Sequence, residues 1–229
     1  MAEDRISRNQ LKKVVFVRAG FALPVLAALF FLPAGTWNYP EAWIYMAVIF
    51  IPMLFTLNYL MKNDPDLLER RMRMRETQTA QKKIISLSLI YFILAFLLPG
   101  FDKRFGWSNV PFYIALVANL IVLVSYLSVI QVFKVNSYAS RVVEVMKGQK
   151  VISTGPYAIV RHPMYTAVSF MYVFSPLALG SYWAMIPAVL IIPLLMARIK
   201  NEEEVLQKEL EGYVEYKQKT KYRLIPFIW

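Results

Sequence analysis

The sequence predicts an all-α, multi-span membrane protein of about six hydrophobic helices, and three observations carry that expectation. Of its 229 residues, 58% are hydrophobic, against about 45–50% in an average soluble domain. Six apolar runs are long enough to be spans or near-spans: roughly 14–32, 42–60, 84–98, 111–133, 164–179 and 182–197. Basic residues fall almost entirely between alternate runs. With the N-terminus inside, 24 of the 26 Lys and Arg residues lie on the cytoplasmic side, leaving only Lys103 and Arg104 outside. That bias follows the positive-inside rule and turns the net charge of +11 into a topology signal rather than a nucleic-acid one. No nucleic-acid partner is expected. The chain has no cysteine and one histidine, His162, which excludes disulfides and thiolate or multi-histidine metal sites.

The first run follows a charged, polar start and is read as a retained span rather than a cleaved signal. Pro33-Ala34-Gly35 and Pro40 mark a tight turn into the second span. Asn63-Asp64-Pro65-Asp66 is a helix start, with Asp64 as N-cap and Pro65 at the first helical position. Leu67, Leu68, Met72 and Met74 then alternate with Glu69, Arg70, Arg71, Arg73 and Arg75. The segment 63–83 is therefore expected to carry a basic amphipathic helix on the cytoplasmic interface, or else a charged loop. Pro99-Gly100 is expected to end a short third span. The fourth run is the most continuous. Residues 141–157 hold two short β-type runs around Gly148, which fit a small hairpin or an ordered loop. The fifth and sixth runs, joined by Gly180-Ser181, form a helical hairpin short enough to leave its full crossing open. Residues 1–133 thus read as N-terminal membrane helices and 134–229 as a connector loop, hairpin, cytoplasmic helix and tail, together one integrated domain.

Three constellations can carry chemistry. The run Gly155-Pro156-Tyr157-Ala158-Ile159-Val160-Arg161-His162-Pro163-Met164-Tyr165 enters a helix at Pro163. The amides of Met164 to Thr166, expected to be unpaired at that start and lying beside Arg161, suit an anion such as a carboxylate or phosphate. The same residues also fit an ordinary juxtamembrane cap with Arg161 snorkelling to headgroups. Arg198-Ile199-Lys200-Asn201-Glu202-Glu203-Glu204 leaves the sixth run as a helix expected to continue to about Tyr216. At 100° per residue, Ile199, Leu206, Leu210 and Tyr213 share its buried face. Glu202 and Glu203 border that face, and Glu204 points away. Arg198 and the basic stretch around Arg161 are candidate partners for the two border carboxylates, although a solvated charge-rich helix has the same pattern. The apolar, aromatic tail from Lys221 to Trp229 is expected to fold back on the membrane face, either closing a pocket or serving as an interfacial anchor.

Taken in order, Gly-Pro-Tyr, Arg-His-Pro-x-Tyr, a helical hairpin, Arg-x-x-x-Glu-Glu, Tyr-x-x-Tyr and a final Ile-Pro, this chain resembles the isoprenylcysteine carboxyl methyltransferase family and the related phospholipid methyltransferases. The resemblance covers about residues 134–229. It implies an integral membrane methyltransferase in the cell (inner) membrane, with S-adenosylmethionine as cofactor in a cytoplasm-facing pocket. It also implies a hydrophobic or small-molecule methyl acceptor reaching the site from the bilayer. Carried over by motif, the cofactor residues are Gly155, Tyr157, Arg161, His162, Pro163, Tyr165, Glu202 and Glu203. Arg161, His162 and Glu202 are the candidate catalytic residues, and no metal is implied. Two positions depart from the family pattern. Ala167 stands where glycine is common, and Ala139 stands where the prenylcysteine enzymes carry a histidine after the asparagine that Asn136 matches. The acceptor and the oligomeric state are therefore left open. Two other classes fit the composition: a membrane reductase related to the sterol reductases that binds NADPH, and a non-catalytic membrane protein. A transporter fits poorly, because ionisable groups are almost absent from the middle of the runs.

Overall fold

The computed structural model describes residues 7–72 and 79–229. Its helices are α1 (Arg8–Ala34), α2 (Pro40–Asn63), α3 (Pro65–Met72), α4 (Thr79–Phe105), α5 (Phe112–Val135), α6 (Pro163–Ala178), α7 (Met185–Glu209) and α8 (Tyr213–Lys219), with a 3-10 turn at Gly155–Ala158. No strand occurs among the described residues. The protein is all-α, as its sequence predicts.

Four helices, α1, α2, α4 from Gln81 onward and α5, are long and apolar enough to cross a bilayer. Their outward faces carry large apolar side chains such as Phe16, Phe21, Leu54, Phe55, Ile90, Val117 and Leu120, all exposed. In water such a surface is unfavourable; in lipid it is the expected one. Exposed Trp37, Trp43, Trp107 and Trp183 lie in or beside the turns at one end of the bundle, where indole rings suit a membrane interface. The expected fifth and sixth runs become α6 and α7. With 16 residues, α6 reaches only about 24 Å, short of the ~30 Å hydrocarbon core. Their joining turn is tied to neighbours: Ser181 donates to Asp102 at 2.5 Å, and Tyr39 donates to the Leu179 carbonyl.

Two helix boundaries differ from expectation. Pro99 and Gly100 do not end the third span; α4 runs through both to Phe105. The freed carbonyl of a helical proline is tolerable in a packed membrane helix, and here α4 lies directly against α1. A β-carbon on Gly100 would come within 2.6 Å of the Phe30 carbonyl oxygen and 2.8 Å of Pro33 Cβ. The glycine is thus a crossing point, not a terminator. Gly100→Leu should destabilise the protein by about 1–3 kcal/mol through overpacking, seen as a lower thermal unfolding midpoint in detergent. The other boundary is α7, which stops at Glu209 instead of continuing to Tyr216. Gly212 adopts φ +81°, a left-handed turn that a glycine accepts without strain, and α8 starts afresh beyond it.

The helix start expected at Asn63 to Asp66 opens α3, capped by Asp64, whose Oδ1 accepts from the Leu67 amide at 2.9 Å. Leu67 and Leu68 are fully buried in a cluster with Leu60, Val129, Val132, Phe133 and Ala139. Arg73, Met74 and Arg75 lie outside the described residues. Residues 141–154 form an ordered loop instead of a hairpin. Its turn is held by Gln149, which binds Met146 through both backbone and side chain, with Gly148 at φ +75°.

Candidate active site

α6 begins where the sequence places it, with His162 as N-cap and Pro163 at the first helical position. The chain just before it is pinned by the C-terminal tail. The amides of Arg161 and His162 donate to the carbonyls of Tyr222 and Arg223 at 2.9 and 3.0 Å. Thr166 Oγ1 donates to the Leu224 carbonyl at 2.7 Å. The Thr166 amide, expected to be free, is taken by the His162 carbonyl at 3.1 Å.

Across from this start stands α7, and the acidic pair divides as the helical wheel requires. Glu203 is 2% exposed. Its Oε1 accepts from Arg161 Nε at 2.6 Å and lies 3.2 Å from His162 Nε2, while its Oε2 accepts from Arg223 Nε at 2.9 Å. Arg161 Nη1 also donates to the Thr220 and Lys221 carbonyls, both at 2.7 Å. Burial alone would raise the Glu203 carboxyl. The hydrogen bonds from His162 and Arg161, with Arg223 beside them, outweigh it and hold the group well below the usual carboxylate range. Glu202 takes the other direction. Its Oε2 accepts from Tyr165 Oη at 2.7 Å, and Tyr165 Oη in turn accepts from Arg198 Nε at 2.7 Å. Glu202 Oε1 lies 3.9 Å from His162 Nδ1. The histidine therefore stands between the two carboxylates, with Glu203 within hydrogen-bond distance and Glu202 beyond it.

In front of Glu202 and His162 opens a cavity with about 840 Å³ of empty space, part of it continuous with solvent. One wall is the loop from Asn136 to Ile152, and the other is the start of α6 with α7 and α8. Tyr157, Tyr165, Tyr213 and Tyr216 supply aromatic surface, Glu202 and Glu144 negative charge, and Arg141, Lys150 and Arg198 positive charge. Tyr157 Oη accepts from Asn136 Nδ2 at 2.7 Å. Tyr213 Oη is buried and has no hydrogen-bond partner. Burial raises the pKa of both Tyr157 and Tyr213, so both remain neutral donors at pH 7.

Of the residues singled out from sequence, Tyr157, Arg161, His162, Tyr165 and Glu202 line this cavity together. Gly155, Pro163 and Glu203 do not. Gly155 opens the 3-10 turn at φ +59° against Val135. Pro163 faces an apolar groove between α5 and α6. Glu203 sits behind the wall as the counter-charge of Arg161. Nor does the tail line the cavity: none of residues 220–229 is among its wall residues, and Arg223 meets Glu203 instead. Arg141, Arg198, Tyr213 and Tyr216 are additional wall residues. Arg198 was visible as a partner of Glu202 by its four-residue spacing; it reaches Glu202 through the Tyr165 hydroxyl. Arg141 lies in an aperiodic loop and gives no sequence signal.

The fold and this site define an integral membrane protein whose last helices enclose a polar, aromatic cavity at one end of the bundle. Residues 115–208 match the model of the Isoprenylcysteine carboxyl methyltransferase (ICMT) family. The matched stretch runs from α5 to α7 and includes the loop and the helix start that wall the cavity. No curated protein matches the chain.

Proposed function

We propose that the cavity binds S-adenosylmethionine and that the protein transfers its methyl group to a hydrophobic or small-molecule acceptor. The observation that carries this reading is the wall itself. A partly exposed carboxylate, an unpartnered buried tyrosine hydroxyl and three basic side chains surround a cavity walled by tyrosine rings. An amino-acid nucleoside offers a matching set: hydroxyls and an amine for Glu202, an acceptor atom for Tyr213, a carboxylate for Arg141 or Arg198, and a flat base for the tyrosine rings. When bound, the sulfonium supplies an electrophilic methyl group whose leaving group is already good.

The residues then need mainly to orient and to exclude water. Arg161 is engaged by Glu203 and the tail carbonyls, so it acts by fixing the start of α6, not by binding the donor carboxylate as its motif position first implies. With Glu203 ionised, the His162 imidazole directs Nε2–H to it, which leaves Nδ1 toward the cavity as an acceptor. That nitrogen is the base for an amine or thiol acceptor; a carboxylate acceptor needs none. The basic residues gathered at the cavity end and the tryptophans at the other support a cytoplasm-facing site in the cell (inner) membrane.

The test is transfer of labelled methyl from S-adenosylmethionine into total lipid and small-thiol extracts by the purified protein. A labelled product that His162→Ala slows supports the reading. Absence of transfer, together with thermal stabilisation by NADPH alone, overturns it in favour of a reductase.

A further inference from the structure

The two walls of the cavity belong to elements far apart in sequence, and neither is held only by its own neighbours. Both are gripped from outside the family-matched residues 115–208, the loop wall by α3 and the helix wall by the first turn of α4. On the loop wall, Arg71 Nη1 donates to the Ala139 carbonyl at 3.0 Å and lies 3.6 Å from Met164 Sδ. Its guanidinium stacks 4.4 Å from the Phe133 ring centroid. Arg70 Nη2 donates to the Ser137 carbonyl at 2.5 Å. Ala139 and Met164 both line the cavity. On the helix wall, Gln81 is fully buried. Its Nε2 donates to the Arg198 carbonyl at 3.2 Å and to Asn201 Oδ1 at 2.8 Å, one turn before and directly beside Glu202.

We propose that α3 and the first turn of α4 set the spacing of the cavity's two walls, with Arg71 and Gln81 as the positioning residues. An arginine on an interfacial helix would ordinarily reach for headgroups or water. Arg71 instead turns inward, where burial and the neighbouring Arg141 lower its pKa to about 10; it stays a cation at neutral pH. Its planar fork both donates to a carbonyl and stacks on a ring, a combination lysine cannot reproduce. Gln81 keeps its Oε1 buried without a partner, which is unfavourable. A leucine would avoid that, but could not join α4 to the Arg198 carbonyl. The rigid anchor behind both grips is the buried pair Leu67 and Leu68 on one side and the packing of α4 along α7 on the other.

The walls are those assigned above to the methyl donor, yet their spacing is measurable without it. Because the chain has no cysteine, spin labels at Ser137→Cys and Glu204→Cys, both exposed, report the distance across the cavity by double electron–electron resonance. A narrow distribution is expected in the labelled parent. Arg71→Ala and Gln81→Ala should broaden it, Arg71→Lys should restore part of the sharpness, and Lys62→Ala on the same membrane face should leave it unchanged. Affinity for S-adenosylhomocysteine should fall about tenfold in the two alanine variants. Unchanged distributions in both alanine variants would overturn the proposal. A parent that binds no S-adenosylhomocysteine, while its distances still respond to Arg71→Ala, would refute the donor reading and support the positioning role.

Discussion

Glu203→Leu should destabilise the protein by about 3–5 kcal/mol, because it leaves buried cations without their counter-charge. Arg161 and Glu203 have side chains only 3% and 2% exposed, and Arg223, more exposed, shares the same carboxylate. Removing the carboxylate strands the guanidinium of Arg161 among carbonyls that cannot neutralise it. The companion variant Arg161→Met with Glu203→Leu removes both charges and should recover much of the loss, since a buried ion pair is often replaceable by apolar groups of similar size. Acid dependence gives a second signature. The folded pKa of Glu203 is depressed, so between that value and the ordinary ~4.3 of a glutamate the unfolded chain binds more protons than the folded one. Its stabilising contribution is complete above the unfolded pKa and is lost as pH falls toward the folded one. Thermal unfolding in detergent from pH 7 to pH 3 should show wild type losing stability at the acid end more steeply than Glu203→Gln. Parallel curves would contradict the assignment.

Glu202→Gln should have the opposite profile: nearly unchanged unfolding of the ligand-free protein, and affinity for S-adenosylhomocysteine lowered about tenfold to a hundredfold. Hydrogen bonds to a charged group contribute about 1.5–3 kcal/mol. Glu202 is a quarter exposed and faces the cavity, so its loss falls on the ligand more than on the fold. Tyr165 ties Glu202 to Arg198, and Tyr165→Phe should weaken binding in the same direction by removing the hydroxyl that orients the carboxylate. Calorimetric titration of the three proteins measures both effects. A Glu202→Gln protein that binds as tightly as wild type but unfolds much earlier would reverse the roles assigned to the two glutamates.

The contrast between Glu202 and Glu203 was legible in sequence only as far as helix periodicity reaches. The wheel puts both on the border of the buried face and Glu204 outside, and the structure agrees. It cannot tell which border glutamate meets Arg161, because that depends on how α7 crosses α6. The start of α6 was legible in detail, since Pro163 and the residues before it restrict the backbone locally. Pro99-Gly100 misled for the converse reason. Their local preference is to end a helix, but contact between α1 and α4 overrides it, and only the neighbouring helix reveals that the glycine is a crossing point. Gly212 was the reverse case: a breaker crossed too readily by the expected helix to Tyr216, although its freedom at positive φ allows the chain to turn there. Arg71 shows the remaining limit. In sequence it is one of several arginines in a basic amphipathic run, and nothing local singles out the side chain that turns inward onto Phe133.

Isothermal titration of the detergent-solubilised protein with S-adenosylhomocysteine and with NADPH, each alone and in competition with S-adenosylmethionine, tests the reading of the cavity most directly. Saturable binding of S-adenosylhomocysteine that S-adenosylmethionine displaces, and that weakens in Glu202→Gln, is the predicted result. Binding of NADPH alone, or of neither compound, would contradict it.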